Sequence, residues 1–394
     1  MSVTFPVGFL AAGVRAGLKS AEKNDVALVV NTGPDKHAAA VFTTNRVAAA
    51  PVLWSQQVMG DGRADAVILN SGGANACTGP EGFQDTHATA ERVAEALTAA
   101  GHGVSATDVL VCSTGLIGER LDMPRLLTGV DAAAARLDDD AAAATGAAEA
   151  ILTTDTVIKT ETGTGAGFSI GGMAKGAGML APGMATMLSV ITTDAVISQQ
   201  DLDAALREAV RISFNRADSD GCMSTNDTVI VMASGANEAA DPAGVDLAEF
   251  QAALNEVCAS LAAQLIADAE GAHHEIAIRT LNAATEEQAE TAGRAVARSN
   301  LFKTAIFGQD PNWGRILAAV GTTEVDFDPA TIDVAVNGIW ICRGGGIGED
   351  RSLVDLTGRK VEVIIDLKTG DAEATILTND LTHDYVHENS AYSS

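Results

Sequence analysis

The chain has 394 residues, 47% of them hydrophobic, 4% aromatic and 20% charged, with a formal net charge of −27. That length suggests two or three domains' worth of core, built here from small and aliphatic side chains in closely packed elements. The acidity argues against a nucleic-acid binder, because an acidic surface repels phosphate backbones and no basic patch interrupts it; its main effect is solubility.

Short apolar or β-branched runs at 26–30, 40–43 and 66–70, each bounded by Gly, Asn or charge, predict strands. Residues 82–100 predict a helix with Val93, Ala96 and Leu97 on one face and Gly101 as its stop. Residues 110–112 predict a short strand that runs into the Ser113-Thr114-Gly115 turn. The Ala- and Asp-rich stretch 123–151 is helical by propensity and reads as a solvated helix. A strand leads up to Thr192, and a helix over 198–212 opens with Ser198 as its cap and Asp201 in its first turn. A strand at 228–233, a long helix at 246–267, a helix at 286–298 and a strand at 332–341 follow. Runs 361–367 and 372–377 flank Thr369-Gly370 and read as a hairpin. Strands and helices alternate without a βαβ period, which predicts a layered α+β fold with no disordered linker.

Between residues 171 and 195 the chain reads GGMAKGAGMLAPGMATMLSVITTDA. At its centre Thr186 follows the small residue Ala185, between a Gly/Pro-rich stretch and a strand-like run. Attack of Thr186 Oγ on the Ala185 carbonyl, then hydrolysis of the ester, would cut the chain there. The new N-terminal threonine carries a hydroxyl and an α-amine of pKa ~8, so the amine can take the proton of its own hydroxyl near neutral pH. Taken alone, Gly-x-Ala-Thr also describes a buried turn entering a strand.

Several blocks in order narrow that choice. Lys175-Gly176-Ala177-Gly178-Met179 with Pro182, Met184-Ala185-Thr186-Met187-Leu188 and Thr192-Thr193-Asp194-Ala195 closely resemble the self-cleavage segment of the ornithine acetyltransferases. These are the glutamate N-acetyltransferases of arginine biosynthesis. Residues 70–79 (NSGGANACTG), 113–118 (STGLIG), 213–216 (SFNR), 223–228 (MSTNDT) and 305–315 (AIFGQDPNWGR) resemble further family blocks, and the likeness covers nearly the whole chain.

The resemblance implies an αββα fold of N-terminal-nucleophile type, cut into an alpha piece (1–185) and a beta piece (186–394) that form one interwoven body. It implies Thr186 as nucleophile, with the Thr114 hydroxyl and Gly115 N–H as oxyanion donors. It implies substrate contacts from Thr153, Lys175, Thr186, Glu270, Asn389 and the terminal Ser394, with Glu270 on the substrate amine. Without it, Lys175 reads as a surface lysine, Thr153 as a strand threonine and 113–115 as a strand-end turn. Two departures stand out. Ala181-Pro182-Gly183 replaces a common His-Pro-Asn, and His273-His274 follows Glu270 where relatives have a small hydroxyl residue and lysine.

The activity implied is transfer of acetyl from N2-acetyl-L-ornithine to L-glutamate by a ping-pong acyl-enzyme route, without cofactor or metal. A bifunctional version also takes acetyl-CoA, and the sequence does not separate the two. The alternative is an N-terminal-nucleophile aminopeptidase, with water as acceptor; a non-catalytic binding protein fits poorly with intact Thr114, Gly115, Lys175 and Thr186. A heterotetramer of two alpha and two beta pieces is expected. Five scattered cysteines without a C-x-x-C, no convincing signal segment and no apolar run of membrane length predict a cytoplasmic protein with neither nucleic-acid nor membrane partners. His383 and His387 share the spacing of helical metal ligands but lack a third, and a strand-like pattern surrounds them. Residues 343–348 (RGGGIG) lack the lysine and helix of a phosphate loop and read as a turn.

Overall fold

The computed structural model describes residues 2–19, 22–180, 187–239 and 244–391. The first part contains β1 (Phe9–Val14), β2 (Val26–Asn31), β3 (His37–Phe42), α1 (Ala50–Val58), β4 (Ala66–Asn70), α2 (Gly79–Ala99), β5 (Val109–Ser113), α3 (Met123–Ala134), α4 (Ala141–Ala150), β6 (Lys159–Gly165) and β7 (Phe168–Lys175). From residue 187 onward come β8 (Leu188–Thr193), α5 (Gln199–Ile212), β9 (Thr228–Ala233), α6 (Leu247–Ala267), β10 (Glu275–Ala283) and α7 (Glu286–Ala297). They are followed by α8 (Asn300–Phe307), α9 (Trp313–Val320), β11 (Asp333–Val336), β12 (Ile339–Arg343), β13 (Gly346–Ile347), β14 (Lys360–Asp366), β15 (Ala372–Asn379) and α10 (His383–Ala391).

The strands form three sheets, ordered β1-β2-β4-β5, β3-β9-β8-β7-β6 and β13-β12-β11-β14-β10-β15. The first two stack because their strands alternate. Leu188, Val190, Ile230 and Met232 join the core of the first sheet, while Ile191, Val229 and Val231 face Leu202, Leu206, Phe250 and Leu254 of α5 and α6. Val93, Leu97, Leu126 and Val130 of α2 and α3 close the other side of the first sheet's core. The result is the expected α+β body, with helices outside two stacked sheets. The third sheet has its own core with α7, α8 and α9. No helix among the described residues is long and apolar enough to cross a membrane.

Most predicted elements stand where their periodicity put them. The strands at 66–70 and 228–233 match, and the Ser198 side chain caps α5 by accepting the Asp201 N–H. Three expectations need correction. The stretch 123–151 is two helices, because Asp138 bridges to Ala11 and Asp140 caps a new start; α4 is no solvated helix, since Ala144, Ala147 and Ala148 are buried. The single strand at 332–341 is a hairpin: Asn337 and Gly338 take φ of 46° and 80°, which turns β11 back on β12. The predicted 361–377 hairpin does not pair with itself. β10 inserts between β14 and β15, parallel to the first and antiparallel to the second.

Closely packed small residues are visible at Gly13. A Cβ there would lie 1.8 Å from the Gly146 carbonyl oxygen, so α4 crosses β1 backbone to backbone. Because neither partner at this contact is a flexible side chain, Gly13→Ala should destabilise the protein toward the upper end of the roughly 1–3 kcal/mol typical of overpacking. Chemical denaturation monitored by circular dichroism checks this; an unchanged midpoint would mean that α4 can move off β1.

Candidate active site

Strand alternation explains how the site assembles. In β7, Met173 faces the core between the sheets and Ala174 faces the outer helices. Lys175 therefore turns back toward the first sheet, where Thr114 follows the end of β5. Its Nζ donates to Thr153 Oγ1 at 2.8 Å and to Thr114 Oγ1 at 3.3 Å. Lys175 is 1% exposed, so the surface-lysine reading is wrong. Burial lowers its pKa, and the charge of Asp155 opposes that shift.

Thr114 and Gly115 form a pair of adjacent donors. Thr114 Oγ1 accepts from Lys175, and its own proton has no acceptor among the described residues. The Thr114 N–H is occupied by the Asn70 carbonyl, whereas the Gly115 N–H meets no acceptor among them. Gly115 has φ +128°, and a Cβ there would press on the Gly73 backbone at 3.0 Å. Asn226 fixes this corner by donating to the carbonyls of Ala74 and Ser113. Three of the sequence blocks thus meet at one point.

Glu270 follows the end of α6. Its N–H donates to the Ala177 carbonyl, Oε1 accepts the Thr154 hydroxyl at 2.7 Å and Oε2 accepts Asn389 Nδ2 at 2.9 Å. The C-terminal helix α10 therefore reaches Glu270 through Asn389. The His273-His274 departure has a structural use. Both backbone N–H groups donate to Asp380 Oδ1, the His274 ring meets Asp380 Oδ2, and the His273 ring meets Asp384. They tie α10 to the Glu270 turn.

Sequence reasoning assigned no role to the residues that support these groups. Asp155 accepts the Gly176 N–H and the Thr153 N–H. Lys159 donates to Asp155 Oδ1 at 2.7 Å and Asp268 Oδ2 at 2.6 Å. Burial pushes the Asp155 carboxyl up, but the charges of Lys175 and Lys159 outweigh it and hold the group well below the usual carboxylate range. The signal was the run Thr153-Thr154-Asp155-Thr156, in which a carboxylate stands among hydroxyls.

Ala185, Thr186 and Ser394 lie outside the described residues. Their neighbours are informative. Met187, which follows Thr186 in sequence, donates its N–H to Asp227 Oδ1 at 3.0 Å. Asp227 is fully buried, and its Oδ2 meets no donor among the described residues. Burial raises its pKa well above the usual value, against the backbone donors of Met187 and Ser224.

The decoys resolve differently. Residues 343–346 make the turn between β12 and β13, with Gly344 and Gly345 at positive φ, as read. His383 and His387 lie on helix α10 and not in a strand, and His383 packs edge-on to Phe307. Among the described residues no group of three or more His, Cys, Asp or Glu is placed to hold a metal.

The ArgJ family pattern matches residues 10–394. The arginine biosynthesis bifunctional protein ArgJ of Streptomyces coelicolor is 58% identical over 394 residues and all of both chains. The protein of the same name from Thermobifida fusca is 59% identical over the same span. Among solved structures, an ornithine acetyltransferase complexed with ornithine, from Mycobacterium tuberculosis, is 55% identical over 48% of this chain and 96% of its own, with a TM-score of 0.46. A family match over 10–394, with relatives this similar from end to end, means that the chain belongs to the ArgJ family.

Proposed function

We propose that this chain is a self-processing acetyltransferase of arginine biosynthesis that moves acetyl from N2-acetyl-L-ornithine to L-glutamate. One observation carries the reading: Thr114, Gly115, Thr153, Lys175, Glu270 and Asn389, distant in sequence, converge around the two ends of the segment that holds Thr186. The bifunctional relatives support a second donor, acetyl-CoA, for glutamate. An aminopeptidase of similar fold is disfavoured by the same relatives.

In the first half-reaction Thr186 Oγ attacks the acetyl carbonyl as its proton passes to the Thr186 α-amine. The Thr114 hydroxyl and Gly115 N–H take the developing oxyanion. The C–N bond breaks, the leaving nitrogen takes the proton and ornithine departs. In the second half the glutamate amine attacks the acetyl ester by the reverse steps. Lys175 pairs with the substrate carboxylate, Thr153 and Ser394 complete the binding set, and Glu270 with Asn389 reads the amine.

Cutting between Ala185 and Thr186 creates this nucleophile. Pairing of β7 with β8 supports continued association of the pieces, because the second sheet takes β3, β7 and β6 from 1–185 and β8 and β9 from 186–394. We place the enzyme in the cytoplasm, where free thiols such as its cysteines persist. Two copies of each piece complete the assembly.

The purified wild-type protein should give two bands on a denaturing gel, with a new N-terminus at Thr186 and a native mass near twice that of one chain. Thr186→Ala should give one band of 40.2 kDa and no transferase activity. A new terminus elsewhere, or a cut chain in the variant, would overturn the assignment.

Thr114→Ala should slow acetylation of Thr186 by ~10²-fold or more, with little change in KM, because an oxyanion donor acts mainly in the transition state. Stopped-flow release of ornithine measures it. A raised KM with kcat intact would make Thr114 a binding residue only.

Glu270→Gln should weaken N2-acetylornithine by about 1.5–3 kcal/mol, the worth of one charged hydrogen bond. Deacylation by glutamate should suffer less, since a second carboxylate near Glu270 is repelled. Equal losses in the two half-reactions, measured separately, would reduce Glu270 to an architectural role.

A further inference from the structure

Five consecutive residues, 153–157, hold both halves of the site. Thr153 binds Lys175, Thr154 binds Glu270, and Asp155 binds Gly176 and Lys159. Thr156 and Val157 donate their N–H groups to Asp268, two residues before Glu270. Within this hub the two buried lysines share one carboxylate unequally. Lys159 is 0% exposed and makes a 2.7 Å hydrogen bond to Asp155 Oδ1. Lys175 stands 3.7 Å from Oδ2, beyond hydrogen-bond reach, and spends its donors on the neutral hydroxyls of Thr153 and Thr114.

The other lone pairs of Asp155 are also taken. Oδ1 receives the Gly176 N–H at 2.6 Å and Oδ2 the Thr153 N–H at 3.0 Å. Lys19, the other cation of this region, sends its ammonium to the Leu152 and Asn24 carbonyls and makes no contact with Asp155. Lys159 and Lys175 come from neighbouring strands: Lys159 is the register partner of Ala174, so the two lysines leave opposite faces of the sheet and meet the carboxylate at its edge. Lys159, which also reaches Asp268 Oδ2 at 2.6 Å, is thus the cation hydrogen-bonded to Asp155, and Lys175 is a longer-range partner with no hydrogen bond to it.

We propose that Lys159 is a positioning residue that keeps the Lys175 ammonium available for a substrate carboxylate by neutralising Asp155 in its place. Remove the Lys159 charge, and Asp155 becomes a buried carboxylate whose nearest remaining ammonium is that of Lys175, while Asp268 loses its partner as well. The ammonium then closes the 3.7 Å gap and is lost to the substrate. Remove Asp155 as well, and Lys175 is free again. The inference rests on the reading of Lys175 as the carboxylate partner.

The test uses the purified, self-processed enzyme with Lys159→Met, Lys159→Met/Asp155→Asn and Lys175→Met. KM and kcat are measured for N2-acetylornithine and for glutamate, each in its own half-reaction. Lys159→Met should raise KM for both amino acids by about tenfold or more, with kcat within about threefold of the parent, since both ligands carry the carboxylate and the oxyanion donors are untouched. The double variant should return KM to within about threefold of the parent, as one amide can still accept a backbone N–H. A purely structural lysine gives the opposite pattern, in which the double variant is no better than the single one, and that result overturns the proposal. So does a loss confined to kcat.

If Lys159→Met alone does not fold, the double variant decides: a folded enzyme with parental KM supports the proposal, and one with raised KM overturns it. If neither folds, the pair holds the fold and does not serve Lys175, and the proposal falls. Lys175→Met separates the two readings. If it raises KM while Lys159→Met does not, only the role of Lys159 is lost. If it leaves KM unchanged, Lys175 is no carboxylate partner and both readings fail.

Discussion

Lys175 and Leu188 are partners in the antiparallel ladder of β7 and β8, and the rest of the site hangs on that pairing. The segment between them leaves one central strand and returns on its neighbour, so its two ends are fixed at the same edge of the same sheet. Leu188 in turn pairs with Thr228 of β9, which brings Asp227 beside Met187. A segment in such a place is held at both ends by ladder hydrogen bonds that lie outside it. The sheets around it bury two large apolar clusters, one between the first two sheets and one under α5 and α6.

The electrostatics of the site follow from its depth. Lys159, Lys175 and Asp155 are all nearly inaccessible, and removing one partner from a buried ion pair commonly costs about 3–5 kcal/mol. That cost explains the density of hydrogen bonds in residues 153–157. It also explains why Asp155 and Asp227, both buried aspartates, behave oppositely. Asp155 has two ammonium groups beside it that hold its pKa down, whereas for Asp227 burial outweighs its backbone donors and the charge of Lys175 and raises its pKa. The same side chain is thus shifted in opposite directions on the two sides of the segment.

The C-terminal sheet serves the site from a distance. Its last strand, β15, runs into Asp380, which the His273-His274 pair grips, and α10 then carries Asn389 to Glu270. The His-His pair departs from the family pattern, yet it uses its backbone N–H groups and ring nitrogens to hold this return. The departure and the function are compatible because the contact is made to Asp380 and Asp384, not to Glu270 itself.

Local chemistry made many elements legible in the sequence. Alternation and turn residues bounded β4 and β9, a serine and its aspartate marked the start of α5, and Gly-x-Ala-Thr with its flanks drew attention to residue 186. What depended on long-range pairing was not legible. β14 and β15 look like a hairpin because nothing within 360–379 reveals that β10, far earlier in the chain, slides between them. Lys175 looks like a surface lysine because burial is set by the first sheet and not by its neighbours in sequence. Asp155, Lys159 and Asp268 look unremarkable for the same reason. Residue type and local period determined which groups were able to act; only the stacking of the sheets decided which of them meet, since a buried charge is given its partner by the fold.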